Sequence, residues 1–166
     1  MTTAALAAVR SATAGTTQDE SAAAPYTDGR WLFSHNGRIQ GWPSALEGLI
    51  EAMPASRLLT MEAHVDSALL WALVLEALAD GQSPDAALAG TAKAVLEHTD
   101  ARLNLLLTDG RSITATAVGD TLYWNSGPDG VLVASEPSDD GPGWHCVPDN
   151  SLLTAMAGRV DVRPLG

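Results

Sequence analysis

Cysteine is almost absent from this sequence, because Cys146 is the only one among 166 residues. A single thiol excludes an internal disulfide and leaves no second thiolate to share a zinc ion. The four histidines show no metal-ligand spacing, and the acidic pair at residues 139–140 has no further oxygen ligands in register. We therefore expect no metal ion and no other cofactor.

Positive charge is also scarce, with nine Lys and Arg residues against twenty Asp and Glu and a formal net charge of −11. The basic residues are scattered along the chain, so nucleic acid is not an expected partner. The longest purely apolar run, residues 68–75, is about a third of the length that spans a bilayer. Residues 1–8 lack the basic start and the cleavage site of a signal peptide, so we expect a cytoplasmic protein without a membrane span.

What is present is the composition of a packed domain, with 46% hydrophobic and 17% charged residues. Alternating and apolar patterns predict strands at residues 6–12, 31–39, 103–108, 112–118, 121–124, 131–135 and 158–162. Helical spacing predicts helices at residues 43–51, at residues 64–79 and from Pro84 onward, with Ser83 as N-cap. We expect exposed loops at residues 16–24 and 139–142, a turn at residues 26–29, and a meander formed by the strands after residue 102. Strands, then helices, then antiparallel strands predict an α+β fold.

Three short motifs carry candidate chemistry. Arg10, followed by the small hydroxyl residue Thr13, can hold a carboxylate through two parallel hydrogen bonds, or is a plain surface arginine. The side-chain amide of Asn36 and the backbone N–H of Gly37 are two donors that can converge on one oxyanion, or these residues form a hairpin turn. Asp66, which opens the long helix, can hold an ammonium group, or only stabilises the positive helix end.

The order of these motifs resembles the glutamine site of class II glutamine amidotransferases, which are N-terminal nucleophile hydrolases. Arg-x-x-Thr-x-Gly comes first, His-Asn-Gly follows, and Asp-Ser stands at a helix start. The chain is most similar to the ergothioneine-biosynthesis amidohydrolases, which remove the γ-glutamyl group from a hercynylcysteine sulfoxide intermediate. The similar segments are residues 8–13, 33–37, 65–68, 101–104, 119–122, 134–137 and 139–144. The resemblance thus covers nearly the whole chain.

This resemblance implies a fold, a domain organisation and a substrate class. The fold would be part of the αββα sandwich of N-terminal nucleophile hydrolases, with antiparallel sheets and the early strands absent. Residues 1–166 would be the C-terminal two-thirds of a single class II glutamine amidotransferase-type domain. The partner would be a small γ-glutamyl molecule, and the oligomeric state stays open.

The resemblance also assigns roles to individual residues. Arg10, assisted by Thr13, would bind the α-carboxylate of the glutamyl group, and Asp66 would bind its α-ammonium group. Asn36 and Gly37 would form the oxyanion hole over the γ-carbonyl. Such a pocket would select a glutamyl group that carries both an α-carboxylate and an α-ammonium group. A ligand that lacks one of these charges would leave Arg10 or Asp66 buried without a partner.

The nucleophile is where the sequence departs from the family pattern. The family has a cysteine directly after the initiator methionine, whereas Thr2 follows Met1 here. Thr2 leads into the Arg10 segment instead of lying on a separate, earlier strand, and Cys146 has no free amine beside it. We therefore expect that upstream sequence with the nucleophile is missing and that the chain as given is inactive. Two alternatives are a general amidotransferase domain that releases ammonia from glutamine and a non-catalytic glutamate-binding module.

Overall fold

The computed structural model describes residues 5–8, 24–128 and 130–166. The strands are β1 (Tyr26–Asp28), β2 (Trp31–Ile39), β3 (Ala101–Thr108), β4 (Ser112–Ala117), β5 (Tyr123–Gly127), β6 (Gly130–Ala134), β7 (His145–Cys146), β8 (Ser151–Met156) and β9 (Arg159–Pro164). The helices are α1 (Glu47–Ala52), α2 (Ala55–Leu59), α3 (Asp66–Ala79) and α4 (Pro84–Leu96), and a 3-10 turn at Ser44–Leu46 precedes α1.

Two antiparallel sheets organise the described chain. The larger has six strands in the order β1-β2-β3-β4-β8-β9, and the smaller has three in the order β6-β5-β7. Strand β2 pairs with β3 without interruption from Leu32 opposite Thr108 to Ile39 opposite Ala101. Successive side chains of a strand point to opposite faces, so β2 presents residues 33, 35, 37 and 39 on one face and residues 34, 36 and 38 on the other.

The helices and the smaller sheet cover opposite faces of the larger sheet. One buried cluster joins the helices to one face of β2 and β3; it includes Phe33, Ile39, Leu103, Leu105, Leu107, Leu69, Leu70, Leu88 and Val95. A second cluster joins the other face to the smaller sheet; it includes Ala115, Ala117, Leu153, Leu122, Val147, Trp124 and Val133. The layers are therefore helices, large sheet and small sheet.

Helix α3 lies over β2 and fixes where its first residue, Asp66, stands. Phe33 of β2 stacks on Trp71 with ring centroids 5.3 Å apart, and the hydroxyl oxygens of Tyr26 and Ser67 are 3.3 Å apart. Leucine and alanine dominate the helix, and both favour helical backbone. The helix ends at Ala79, and Gly81, with a φ of +83°, closes the last turn as in a Schellman motif. Its start is thus held against the β1–β2 hairpin.

Most of the predicted elements are present. The α+β class, strand β2 at its predicted bounds, helices α3 and α4 and the closing edge strand β9 are confirmed. No helix in the described segments has both the length and the apolar character needed to cross a bilayer.

Three sequence expectations are wrong. Residues 26–28 form a strand instead of a turn, because Tyr26 is buried opposite Phe33 and the turn shifts to residues 29–30. The C-terminal strands are not one meander, since β4 pairs with β8 while β5 starts the second sheet. Strand β8 itself was not predicted. A strand is expected at residues 6–12, but residues 6–8 are not in a strand and residues 9–12 lie outside the described residues. Residues 16–23 of the expected loop also lie outside the described residues.

Candidate functional site

The Asn36–Gly37 pair lies inside strand β2, not in a turn. Asn36 is opposite Asn104 of β3, and Gly37 is opposite Leu103. The hairpin-turn alternative is therefore wrong, because the pairing with β3 continues past both residues to Ile39. The two residues are fixed in an extended backbone that the strand partner holds in place.

Gly37 is required by the close approach of the neighbouring strand. Its φ is +148°, in the region that favours glycine, and a Cβ built on it would overlap the backbone carbonyl oxygen of Arg102. The same Cβ would lie 2.9 Å from Nε2 of His35. The missing side chain therefore makes room for an imidazole ring and for a carbonyl group of β3.

His35 lies beside Gly37 on the face of β2 that the helices cover. Its Nε2 is 3.1 Å from the carbonyl oxygen of Arg102, and a carbonyl only accepts, so Nε2 carries the proton. Burial lowers the pKa of His35 below its ordinary value, although the charges of Asp66 and Asp120 and the bond to Arg102 act in the opposite direction. Burial therefore favours the neutral imidazole over the imidazolium.

Asp66 is half-buried at the first position of α3. Its Oδ1 accepts a hydrogen bond from the backbone N–H of Ser67 at 2.8 Å, which suits the positive end of a helix. The carboxylate also interacts electrostatically with His35. The structural role considered for Asp66 is thus present, and it leaves the carboxylate near the His-Asn-Gly segment.

The side chain of Asn36 belongs to the opposite face of the sheet, next to that of Asn104. Asn36 is exposed, whereas Asn104 is 1% exposed. The amide nitrogen of Asn104 donates to the carbonyls of Asp120 (3.2 Å) and Thr121 (2.8 Å), and its oxygen accepts from the N–H of Val118 (2.9 Å). Asn104 therefore fixes the link between the two sheets, while the amide of Asn36 faces solvent.

An open cavity of about 500 Å³ adjoins these residues at the end of the β2–β3 pair. It is lined by Arg38, Gln40, Asp100, Ala101 and Arg102. The guanidinium of Arg102 pairs with the carboxylate of Asp120 at 3.1 Å. The cavity brings two cations close to the strand that carries Asn36.

The structure brings together some of the predicted site residues. His35 lies beside Gly37 and interacts electrostatically with Asp66, whereas the side chain of Asn36 lies on the opposite face of the sheet. Arg10 and Thr13 lie outside the described residues, so their assignment stays a prediction. Cys146 is exposed on β7 of the smaller sheet, where its thiol donates to the carbonyl of Val147 at 3.5 Å.

Two residues of this region, His35 and Asn104, are not among the site residues that the sequence predicts. His35 carries a detectable signal, because it directly precedes Asn36 in the motif, although nothing else in the sequence distinguishes it from an ordinary surface or packing histidine. Asn104 gave no signal, because its three partners lie 14 to 17 residues further along the chain. Only the folded chain shows that they meet.

Solved structures define the class of fold. A glutamine aminotransferase class-II domain protein from Silicibacter pomeroyi matches with a TM-score of 0.69 and 22% identity, covering 88% of this chain and 72% of its own. The glutamine phosphoribosylpyrophosphate amidotransferase from B. subtilis matches with a TM-score of 0.62 and 12% identity, covering 82% of this chain and 29% of its own. The chain therefore has the fold of a class II glutamine amidotransferase-type domain, and the predicted fold class is confirmed.

Curated relatives indicate a narrower family than the solved structures do. The chain is 42% identical over 161 residues to the γ-glutamyl-hercynylcysteine sulfoxide hydrolase of Mycolicibacterium smegmatis and 40% identical over 160 residues to that of Mycobacterium tuberculosis. These alignments include 96% of this chain but only 63% and 62% of the relatives. No protein-family model matches the chain. The chain is thus a homologue of these hydrolases, and the resemblance inferred from its motifs is confirmed.

Proposed function

We propose that this chain forms the substrate-recognising part of a hydrolase that cleaves the γ-glutamyl amide bond of γ-glutamyl-hercynylcysteine sulfoxide. The products are glutamate and hercynylcysteine sulfoxide, in the biosynthesis of ergothioneine. The observation that carries the proposal is the 42% identity to the M. smegmatis hydrolase across 96% of this chain. The chain corresponds to about two-thirds of one domain, as the 63% coverage of that relative supports.

The glutamyl head is recognised by its two charges. Arg10, with Thr13, holds the α-carboxylate by two parallel charge-assisted hydrogen bonds. Asp66 holds the α-ammonium group from the first position of α3, where helix α3 packs on β2. The contact of His35 with Gly37 and the influence of Asp66 on His35 support a common site.

The oxyanion hole is supplied by strand β2. A nucleophile that attacks the γ-carbonyl carbon converts the carbonyl oxygen into an alkoxide, and the side-chain N–H of Asn36 and the backbone N–H of Gly37 stabilise that charge. Collapse of the tetrahedral intermediate breaks the C–N bond and releases the protonated amine, after which water hydrolyses the acyl-enzyme to glutamate. Pairing with β3 fixes the backbone at Asn36 and Gly37 before the substrate arrives, so little reorganisation is needed.

Cys146 is a poor nucleophile for this reaction. It lies on the three-stranded sheet beside His145, whose ring stacks on Trp124 with centroids 4.3 Å apart. Neither an N-terminal amine nor a histidine base is hydrogen-bonded to its thiol within the described chain. Replacing Cys146 by serine is therefore expected to leave turnover unchanged.

Turnover tests the proposal directly. The 166-residue chain, and the protein extended by any coding sequence that precedes it in frame, are supplied with γ-glutamyl-hercynylcysteine sulfoxide or with glutamine, and glutamate release is measured. We expect kcat/KM to favour the sulfoxide, and Asn36→Ala to lower kcat by about 10²- to 10³-fold through loss of one oxyanion donor.

The same assay separates the alternatives. The general amidotransferase alternative is favoured by the fold shared with the amidotransferase of B. subtilis. Preferred turnover of glutamine, with ammonia released in equal amount, would support it. Glutamate binding without turnover by either form of the protein would support a binding module and contradict the proposed hydrolysis.

A further inference from the structure

The cavity beside β2 lies on the same face of the large sheet as the Asn36 side chain. Alternation along β2 places Asn36 and Arg38 on one face, and Gln40, directly after the strand, also lines the cavity. Arg102 is directly opposite Arg38 on β3, just as Asn104 is opposite Asn36. The cavity is therefore a continuation of the surface on which the oxyanion donor stands.

The spacing along the strand sets the size of the group that can bridge the two positions. Residues two apart on a strand are separated by about 7 Å. A ligand whose scissile carbonyl lies at Asn36 can therefore extend its leaving group toward Arg38. An atom two or three bonds beyond the scissile nitrogen comes within reach of a flexible arginine side chain.

Arg38 is the cation available in this cavity. No carboxylate in the described part of the chain lies within ion-pair distance of its guanidinium group. The guanidinium of Arg102 is already paired with Asp120, and Asp100 contributes a negative charge to the same lining. The guanidinium of Arg38 thus offers parallel N–H donors that match the two oxygens of one carboxylate. This positive charge stands in a protein whose net charge is −11.

We propose that Arg38, with Arg102 beside it, binds the carboxylate of the leaving amine and so selects γ-glutamyl amides of amino acids over free glutamine. The inference rests on the proposed function, since it places the γ-carbonyl at Asn36. In a γ-glutamyl cysteine derivative the carboxylate stands on the carbon next to the scissile nitrogen, within the span of the cavity. Glutamine releases ammonia and has no group to offer Arg38.

Binding of two probes to the 166-residue chain tests this assignment by titration calorimetry. The probes are γ-glutamyl-S-methylcysteine, which carries the second carboxylate, and γ-glutamylethylamide, which lacks it. We expect Arg38→Gln to weaken binding of the first probe at least about tenfold and to change binding of the second less than about twofold, since only the first has a partner for the guanidinium. Arg38→Lys should retain part of the preference.

A matched variant controls for net charge. Arg111 is exposed in the turn between β3 and β4, at the other end of the β2–β3 pair, so Arg111→Gln removes one positive charge away from the cavity. It should affect both probes equally. If wild-type chain binds both probes but Arg38→Gln changes neither affinity, or lowers both to the same extent, the role of Arg38 is refuted while the glutamyl pocket stands. If neither probe binds the wild-type chain, the proposed function fails as well.

Discussion

At the scale of single residues, His35 shows how a site residue can act without touching the substrate. Its protonated Nε2 donates to the carbonyl of Arg102, and its ring occupies the space that Gly37 leaves. It therefore holds the backbone of β2 and β3 at the proposed oxyanion hole. We regard it as a positioning residue rather than a catalytic one.

The lowered pKa of His35 makes folding depend on pH. The unfolded chain binds a proton near the ordinary pKa of about 6.5, whereas the folded chain does so only at lower pH, because burial disfavours the imidazolium. The stability linked to His35 is fully present above that ordinary value and is lost as the pH falls toward the folded pKa. One proton changes the free energy of unfolding by at most about 1.4 kcal/mol per pH unit.

The predicted outcome is a smaller loss of stability on acidification in His35→Gln than in the wild type. Urea unfolding between pH 7.5 and pH 5 measures it, and glutamine retains a donor for the carbonyl of Arg102. His64→Gln is the control, since His64 is exposed and makes no side-chain hydrogen bond to the described residues. Parallel pH curves for wild type and His35→Gln would contradict the account, because the carboxylates Asp66 and Asp120 titrate in both proteins.

At the scale of elements, strands β2 and β3 place two asparagines opposite each other for different purposes. Asn104 is buried and makes three hydrogen bonds to the segment that links β4 to β5, whereas Asn36 is exposed on the same face. Removing the first side chain leaves three backbone groups of residues 118–121 without their partner. Removing the second leaves only solvated groups.

Alanine substitution should therefore separate stability from activity at this pair. We expect Asn104→Ala to lower the free energy of unfolding by about 2–4 kcal/mol and Asn36→Ala to change it by less than about 0.5 kcal/mol. Chemical denaturation of the two variants measures the difference. If Asn36→Ala lost as much stability as Asn104→Ala, the amide of Asn36 would support the fold, which would contradict its proposed role as a free oxyanion donor.

The elements differ in how far the sequence alone predicts them. The long amphipathic or alternating segments were predicted well, because local periodicity determines β2, α3 and α4, and Ser83 with Pro84 marks the start of α4. Strand β8 was missed and β5 was assigned to the wrong sheet. Both depend on long-range pairing, since β8 becomes a central strand only by binding β4 and β9.

In the candidate site, too, the sequence predicts the local motifs but not the contacts between distant residues. The order of the motifs along the chain predicts Asn36, Gly37 and Asp66 as site residues, and the fold brings His35 next to Gly37 and Asp66. The contributions of His35 and Asn104 depend on burial and on partners distant in sequence, so no local sequence pattern predicts them. Arg10 and Thr13 rest on the motif alone.

At the scale of the whole molecule, we propose that strand β2 supplies an oxyanion hole between a site for the glutamyl group and a site for the leaving amine. Helix α3 holds Asp66 near His35 on the face that the helices cover, and the cavity at Arg38 lies on the opposite face at the end of the β2–β3 pair. The relatives at 40–42% identity act on a γ-glutamyl compound by their names, and such a compound carries charges at both ends. The recognition of the glutamyl head is the claim on which the other assignments depend.

Titration calorimetry of the 166-residue chain with three ligands tests that claim most directly. Glutarate is glutamate without the ammonium group, and 4-aminobutyrate is glutamate without the α-carboxylate. We predict that L-glutamate binds at least about tenfold more tightly than either analogue, and that Asp66→Asn reduces the affinity for glutamate to that for glutarate, because each analogue leaves Arg10 or Asp66 without its partner charge. Equal affinity for glutamate and glutarate, or an Asp66→Asn variant that still prefers glutamate, would contradict it.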